Sequence, residues 1–117
     1  MGMELRVLGS SSSGNCYILD NGNEALIIEA GIRFIDVKKA LDFNIRKVVG
    51  CLITHQHNDH AKYAKAMVDC GFHVLALPEV IESKELKGSR VKAIKTGSGY
   101  LLGGFRVIPL PAFHDVP

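Results

Sequence analysis

One short run limits this chain more than any other: Thr54-His55-Gln56-His57-Asn58-Asp59-His60, placed directly after the apolar segment Val48-Val49-Gly50-Cys51-Leu52-Ile53. Three of the five histidines and one carboxylate fall within the six positions 55–60. A polar, alanine-spaced segment, Ala61 to Val68, follows. Apolar run, polar run and amphipathic run read as buried strand, loop and helix. In an extended strand end, side chains repeat on one side at every second residue. His55 and His57 are therefore expected to face the same way, with Asp59 continuing the row. His60 lies where the helix should start, and the turn swings it beside Asp59. Two imidazoles converging from one strand end make half of a tetrahedral metal site, and Asp59 with His60 offers an oxygen and a nitrogen to a second ion.

The rest of the chain supplies a frame for that run. Glu4-Leu5-Arg6-Val7-Leu8 alternates as a strand. Gly9 to Asn15 contains only Gly, Ser and Asn, and is expected to be a loop. Cys16 to Leu19 resumes a strand, Asn21-Gly22-Asn23 signals a hairpin turn, and Ala25 to Ile28 returns fully apolar, with both faces covered. Phe34, Val37 and Leu41 recur at helical spacing, predicting an amphipathic helix over residues 33–43. Ala61, Ala64 and Val68 line one face of the helix after the histidine run, and Gly71 stops it. Phe72 to Leu77 is a strand, Pro78 to Ser83 a short helix opened by proline, Val91 to Ile94 a strand, and Tyr100 to Leu110 a hairpin around Gly103-Gly104. The class is α/β with a mixed sheet.

Bulk properties exclude several roles. The formal charge of +2 is too small to argue for nucleic acid by itself. No apolar run approaches about 18 residues, and the N-terminus lacks the basic-then-apolar layout of a signal peptide. Cys16, Cys51 and Cys70 are odd in number, widely spaced and set among apolar neighbours. They read as buried thiols in a reducing, cytoplasmic setting. The basic stretch from Lys84 to Lys95 reads as a solvated rim that could also meet phosphates. His73 stands apart from the cluster and reads as a non-ligand.

His-x-His-x-Asp-His after an apolar strand resembles the signature of the metallo-β-lactamase superfamily. Within it, the Gly9-to-Asn15 run and His114-Asp115 look most like the WalJ-type and phage-borne branch. The resemblance implies an αβ/βα sandwich of two similar halves, of which residues 1–117 supply about one αβ half, with helices on one face of the sheet. It implies that His55, His57 and His114 hold one ion and that Asp59 and His60 serve a second, Asp59 also positioning the attacking hydroxide as the catalytic residue. Two divalent ions are expected in the intact fold, zinc with manganese or iron as alternatives. The bridging aspartate and further histidine of the second site would lie in the C-terminal half, which is expected to be absent from a truncated chain. The family places Asp-x-Gly where this chain has Glu29-Ala30-Gly31, and an extra methylene there could misplace the support of the histidine loop.

The implied function is hydrolysis by a metal-bound hydroxide, of phosphodiesters in nucleic acid first. Thioester, lactone or β-lactam hydrolysis, or a non-catalytic metal-binding role, are the alternatives. No membrane is expected as partner. The bare sheet face is expected to be covered by a second copy or by the missing half.

Overall fold

A computed structural model describes residues 2–110 of the protein. Eight strands and four α-helices follow in chain order: β1 (Glu4–Ser11), β2 (Gly14–Asp20), β3 (Ala25–Ile28), α1 (Phe34–Ala40), β4 (Val48–Ile53), α2 (Asn58–Ala61), α3 (Ala64–Asp69), β5 (Val74–Ala76), α4 (Pro78–Ser83), β6 (Val91–Ala93), β7 (Tyr100–Leu102) and β8 (Phe105–Val107). Strands β1 to β6 form one six-stranded sheet in sequence order, and among the described residues β7 and β8 pair only with each other. The first three strands meander antiparallel, while β3, β4, β5 and β6 run parallel. The sheet is mixed, as the alternation of strands and helices predicts.

Period-two alternation divides the parallel strands between two cores. Ile27, Cys51, Ile53, Val74 and Ala76 face the helices, where they pack with Val37, Ala61, Ala64, Met67 and Val80. Leu26, Leu52 and Leu75 face the other way and pack under Ile94, Leu102 and Phe105 of the hairpin side. This explains why β3 and β4 are apolar throughout: both of their faces are covered. Cys16 and Cys51 are buried thiols, as expected, whereas Cys70 at the end of α3 is only partly buried. Desolvation pushes Cys16 up to about 12 and Cys51 well above the ordinary thiol range, with Glu29 adding to both.

Three elements differ from the sequence reading. The serine run is strand rather than loop: Gly9 pairs with Cys16, Ser10 with Asn15 and Ser11 with Gly14, so only Ser12 and Ser13 turn. Ladder hydrogen bonds come from the backbone and need no apolar side chain, so composition hid the strand. The helix after the histidine run is broken into α2 and α3 at Lys62 and Tyr63. The break has a cause outside the helix. The Ala30 N–H donates to the His60 carbonyl at 2.6 Å, and the Tyr63 N–H donates to the Ala30 carbonyl at 2.9 Å. One residue after β3 thus diverts two backbone groups from the helical ladder. Helix α1 is also shorter than predicted. It ends at Ala40, capped by Leu41, because Asp42 and Phe43 both adopt positive φ, 54° and 60°.

Candidate metal centre

The site forms where three backbones meet at the carboxyl end of β4: the serine hairpin, residues 29–31 after β3, and residues 54–60. Ligand sites in open α/β sheets commonly lie outside the carboxyl ends of strands. Glycine makes the approach possible. A Cβ on Gly31 would run into the carbonyl of Asp59, and one on Gly14 would stand 2.6 Å from the carbonyl of Gly31. The Gly31 N–H donates to the Asn15 carbonyl at 2.9 Å, closing the stack.

Glu29 is the organising residue. It is 4% exposed, and both carboxylate oxygens are occupied. Oε1 accepts from the Thr54 N–H at 2.7 Å and the Thr54 hydroxyl at 2.9 Å. Oε2 lies 2.6 Å from Nδ1 of His60 and 3.7 Å from Nδ1 of His55. The extra methylene is therefore accommodated, with Glu29 held at φ 69°. A non-glycine residue in that region costs about 1–3 kcal/mol, and such conformations cluster at functional sites.

The carboxylate fixes the tautomer of His60. A carboxylate only accepts, so Nδ1 carries the proton and Nε2 presents its lone pair. The surroundings of Nε2 agree with this assignment: the Asn15 amide Nδ2, a donor, lies 3.4 Å away. Asp59 Oδ2 stands 3.5 Å from the same nitrogen. Nitrogen and oxygen are thus presented side by side, as the turn at the start of α2 predicts. The His55 and His60 rings approach to 4.3 Å between centroids. His55 Nδ1 and the Thr54 hydroxyl are 2.9 Å apart.

Among the described residues, Glu29, His55 and His60 can each bring a ligand atom within 4.8 Å of the others, an arrangement able to hold a cation. The donor chemistry fits a divalent ion that accepts imidazole and carboxylate. The two oxygens of Glu29 are already engaged, so its best use is behind His60, orienting the ring. His57 is exposed at the N-terminal cap of α2, outside that group of three. Strand alternation does not carry through to it because β4 ends at Ile53. His114 and Asp115 lie outside the described residues. His73 sits just before β5, at the opposite end of the sheet from Thr54.

Sequence reasoning missed Asn15. It is 8% exposed and its Nδ2 reaches the Ser11 carbonyl at 2.9 Å, the Asp59 carbonyl at 3.2 Å and Asp59 Oδ2 at 3.3 Å. The Tyr17 hydroxyl donates to its Oδ1 at 3.2 Å. Its one signal in the sequence is a polar side chain directly before Cys16, which the serine-rich composition of the run masks. Thr54 was likewise passed over as the first residue of the polar run.

Residues 10–69, just over half of the chain, match the model of the metallo-beta-lactamase superfamily. Over 65 residues the chain is 35% identical to exodeoxyribonuclease YycJ of Bacillus anthracis, covering 53% of this chain and 25% of that protein. The crystal structure of the metallo-beta-lactamase fold protein YhfI from Bacillus subtilis superposes with a TM-score of 0.74 at 16% identity, over 99% of this chain and 55% of that one. A metallo-beta-lactamase from Staphylococcus aureus superposes with a TM-score of 0.72 at 15% identity, over 93% and 34%. The chain thus spans about a quarter of that curated relative and about half or less of those solved chains. The β-strand order, the histidine run at the end of β4 and the match over residues 10–69 together mean that this chain belongs to the metallo-beta-lactamase superfamily.

Proposed function

We propose that the chain carries the metal-binding half of a phosphodiesterase that acts on nucleic acid, in the WalJ-type branch of the superfamily and in the cytoplasm. The observation that carries the reading is the pairing of His60 Nε2 with Asp59 Oδ2 at 3.5 Å, beside His55. His55, Asp59 and His60 would hold divalent ions, with His57 and His114 completing the set and zinc, manganese or iron as the metal. When bound, the ions supply Lewis-acid charge that lowers the pKa of water toward about 7 and offsets charge on the phosphoryl oxygens.

The chain's own residues do the rest. Glu29 holds the proton on Nδ1 of His60 and so keeps Nε2 available. Asn15 restrains the Asp59 carboxylate from the serine hairpin. Asp59 accepts a hydrogen bond from the attacking water and orients it, which makes it the catalytic residue. Lys84 donates to Asn58 Oδ1 at 2.5 Å, setting positive charge next to the histidine run, where a polyanion would approach. The similarity to an exodeoxyribonuclease supports the substrate class.

The test is hydrolysis of single-stranded DNA and of bis-p-nitrophenyl phosphate with added metal. We expect Asp59→Ala and His60→Ala to reduce turnover at least a hundredfold, while Lys39→Ala on α1 leaves it unchanged. Turnover surviving His60→Ala would defeat the metal assignment. Faster turnover of a lactam or thioester than of either phosphodiester would reverse the substrate assignment.

A further inference from the structure

The hydrolase reading leaves a second concavity unused. It lies at the other end of the sheet, where β4, β5 and β6 begin, and has a volume of about 590 Å³. Arg90, Lys92 and His73 line it from the sheet, Ser89 from the preceding turn, and Tyr100 from the hairpin. Leu75 and Leu102 form an apolar floor. At about 3.3 Å per strand residue, the five residues from Val49 to Thr54 put it roughly 17 Å from the metal centre.

Its chemistry is one-sided. Among the described residues, no aspartate or glutamate lines it. Arg90 and Lys92 form no ion pair among the described residues, unlike Arg6, Arg33 and Lys47, each of which has a carboxylate. Lys92 Nζ instead stands 5.4 Å over the Tyr100 ring. That ring is fixed, because the Lys95 N–H donates to its hydroxyl at 2.8 Å. A smaller concavity of about 270 Å³ shares Gly99, Tyr100 and Leu101 and adds Arg106. Again no acidic residue among the described ones lines it. Cationic side chains therefore flank one anchored aromatic ring in two adjoining hollows. A single phosphate needs only one of them. A chain of phosphates with planar bases between uses both, and cation plus aromatic is how proteins hold single-stranded nucleic acid without reading its sequence.

We propose that this cleft binds single-stranded nucleic acid, with Arg90 and Lys92 on its phosphates and Tyr100 beside a base. The inference rests on the hydrolase reading only for the choice of polyanion, since binding here requires no metal.

The experiment measures fluorescence anisotropy of a labelled 12-nucleotide single strand with the full chain, at low salt and in excess chelator. The double variant Arg90→Ala/Lys92→Ala is compared with Lys39→Ala/Lys65→Ala, which removes two exposed lysines from α1 and α3. We expect at least tenfold weaker binding in the first pair and less than twofold in the second. The salt dependence of log affinity should also fall by about 1.4, from two phosphate contacts at about 0.7 each. Equal losses in the two pairs, or no binding by the parent chain, would overturn the proposal. Displacement of the strand by inorganic phosphate at equal phosphate concentration would overturn the polymer as ligand. Binding is read with metal chelated and hydrolysis in a separate metal-loaded assay, so Asp59→Ala that keeps the first and loses the second separates the fate of this cleft from that of the metal centre.

Discussion

Glu29 shows how one buried carboxylate can set the chemistry of another side chain. The groups its carboxylate meets among the described residues, the Thr54 amide and hydroxyl and the rings of His55 and His60, lie on one short segment after β4. Replacing it with glutamine keeps the volume and replaces an acceptor oxygen with a donor nitrogen. Either the Thr54 groups or His60 Nδ1–H then faces an N–H, and the tautomer is no longer enforced. We expect Glu29→Gln to weaken metal binding by about 10–100-fold, as loss of such an orienting partner does elsewhere. Competition against a chelating dye measures this directly. Unchanged affinity would mean that Glu29 fills buried space and does nothing for the ligands.

Between elements, the ion pair of Asp20 at the end of β2 with Lys47 before β4 ties the meander to the parallel strands at 2.6 Å. The Lys47 hydrogen bond, helped by the Gly22 N–H, holds the Asp20 carboxyl below the ordinary carboxylate range. The folded state therefore binds fewer protons there than the unfolded one. The stabilisation is present above the unfolded value of about 3.9 and disappears as pH falls through the folded one. Thermal melts of Lys47→Met should show a deficit at pH 7 that closes as pH falls through the lowered Asp20 value; a deficit constant with pH would remove the pair from the account. Most elements were legible in the sequence because periodicity reports burial, and β3, β4, α4 and the β7–β8 hairpin fall where it puts them. The failures have two origins. The serine strand rests on backbone pairing inside a tight hairpin, which side-chain composition does not report, whereas the split between α2 and α3 and the role of Asn15 depend on contacts with residues distant in the chain, which no local pattern carries. The pairing of Asp59 with His60 was readable from a turn. The grip of Glu29 on His60 was not, since it requires knowing that positive φ at residue 29 aims a longer side chain at the loop.

For the molecule as a whole, the two sheet faces are unequally covered. The helices cover one, whereas the hairpin covers only the parallel part of the other. Leu5 and Val7 of β1 are 56% and 55% exposed, and Met3 is 60% exposed, beside Ile108 at 48%. An apolar hollow of about 320 Å³ continues from Met3 across Leu19 and Ile28 to Ile108. Exposed apolar surface of this kind favours association. We propose that two copies of this chain pair through it, and expect Leu5→Lys/Val7→Lys to lower the sedimentation coefficient to that of a monomer. A parent chain that already sediments as a monomer at high concentration would end the idea. The bracket around Ala30 has a different consequence. Its two bonds join peptide groups, and so do those from Glu29 to Leu52 and from Gly31 to Asn15. Substitution rewrites side chains and leaves the amide skeleton alone. The seat can thus outlive its occupants: a descendant stripped of every imidazole would inherit the same hollow, vacant and ready for some other cargo.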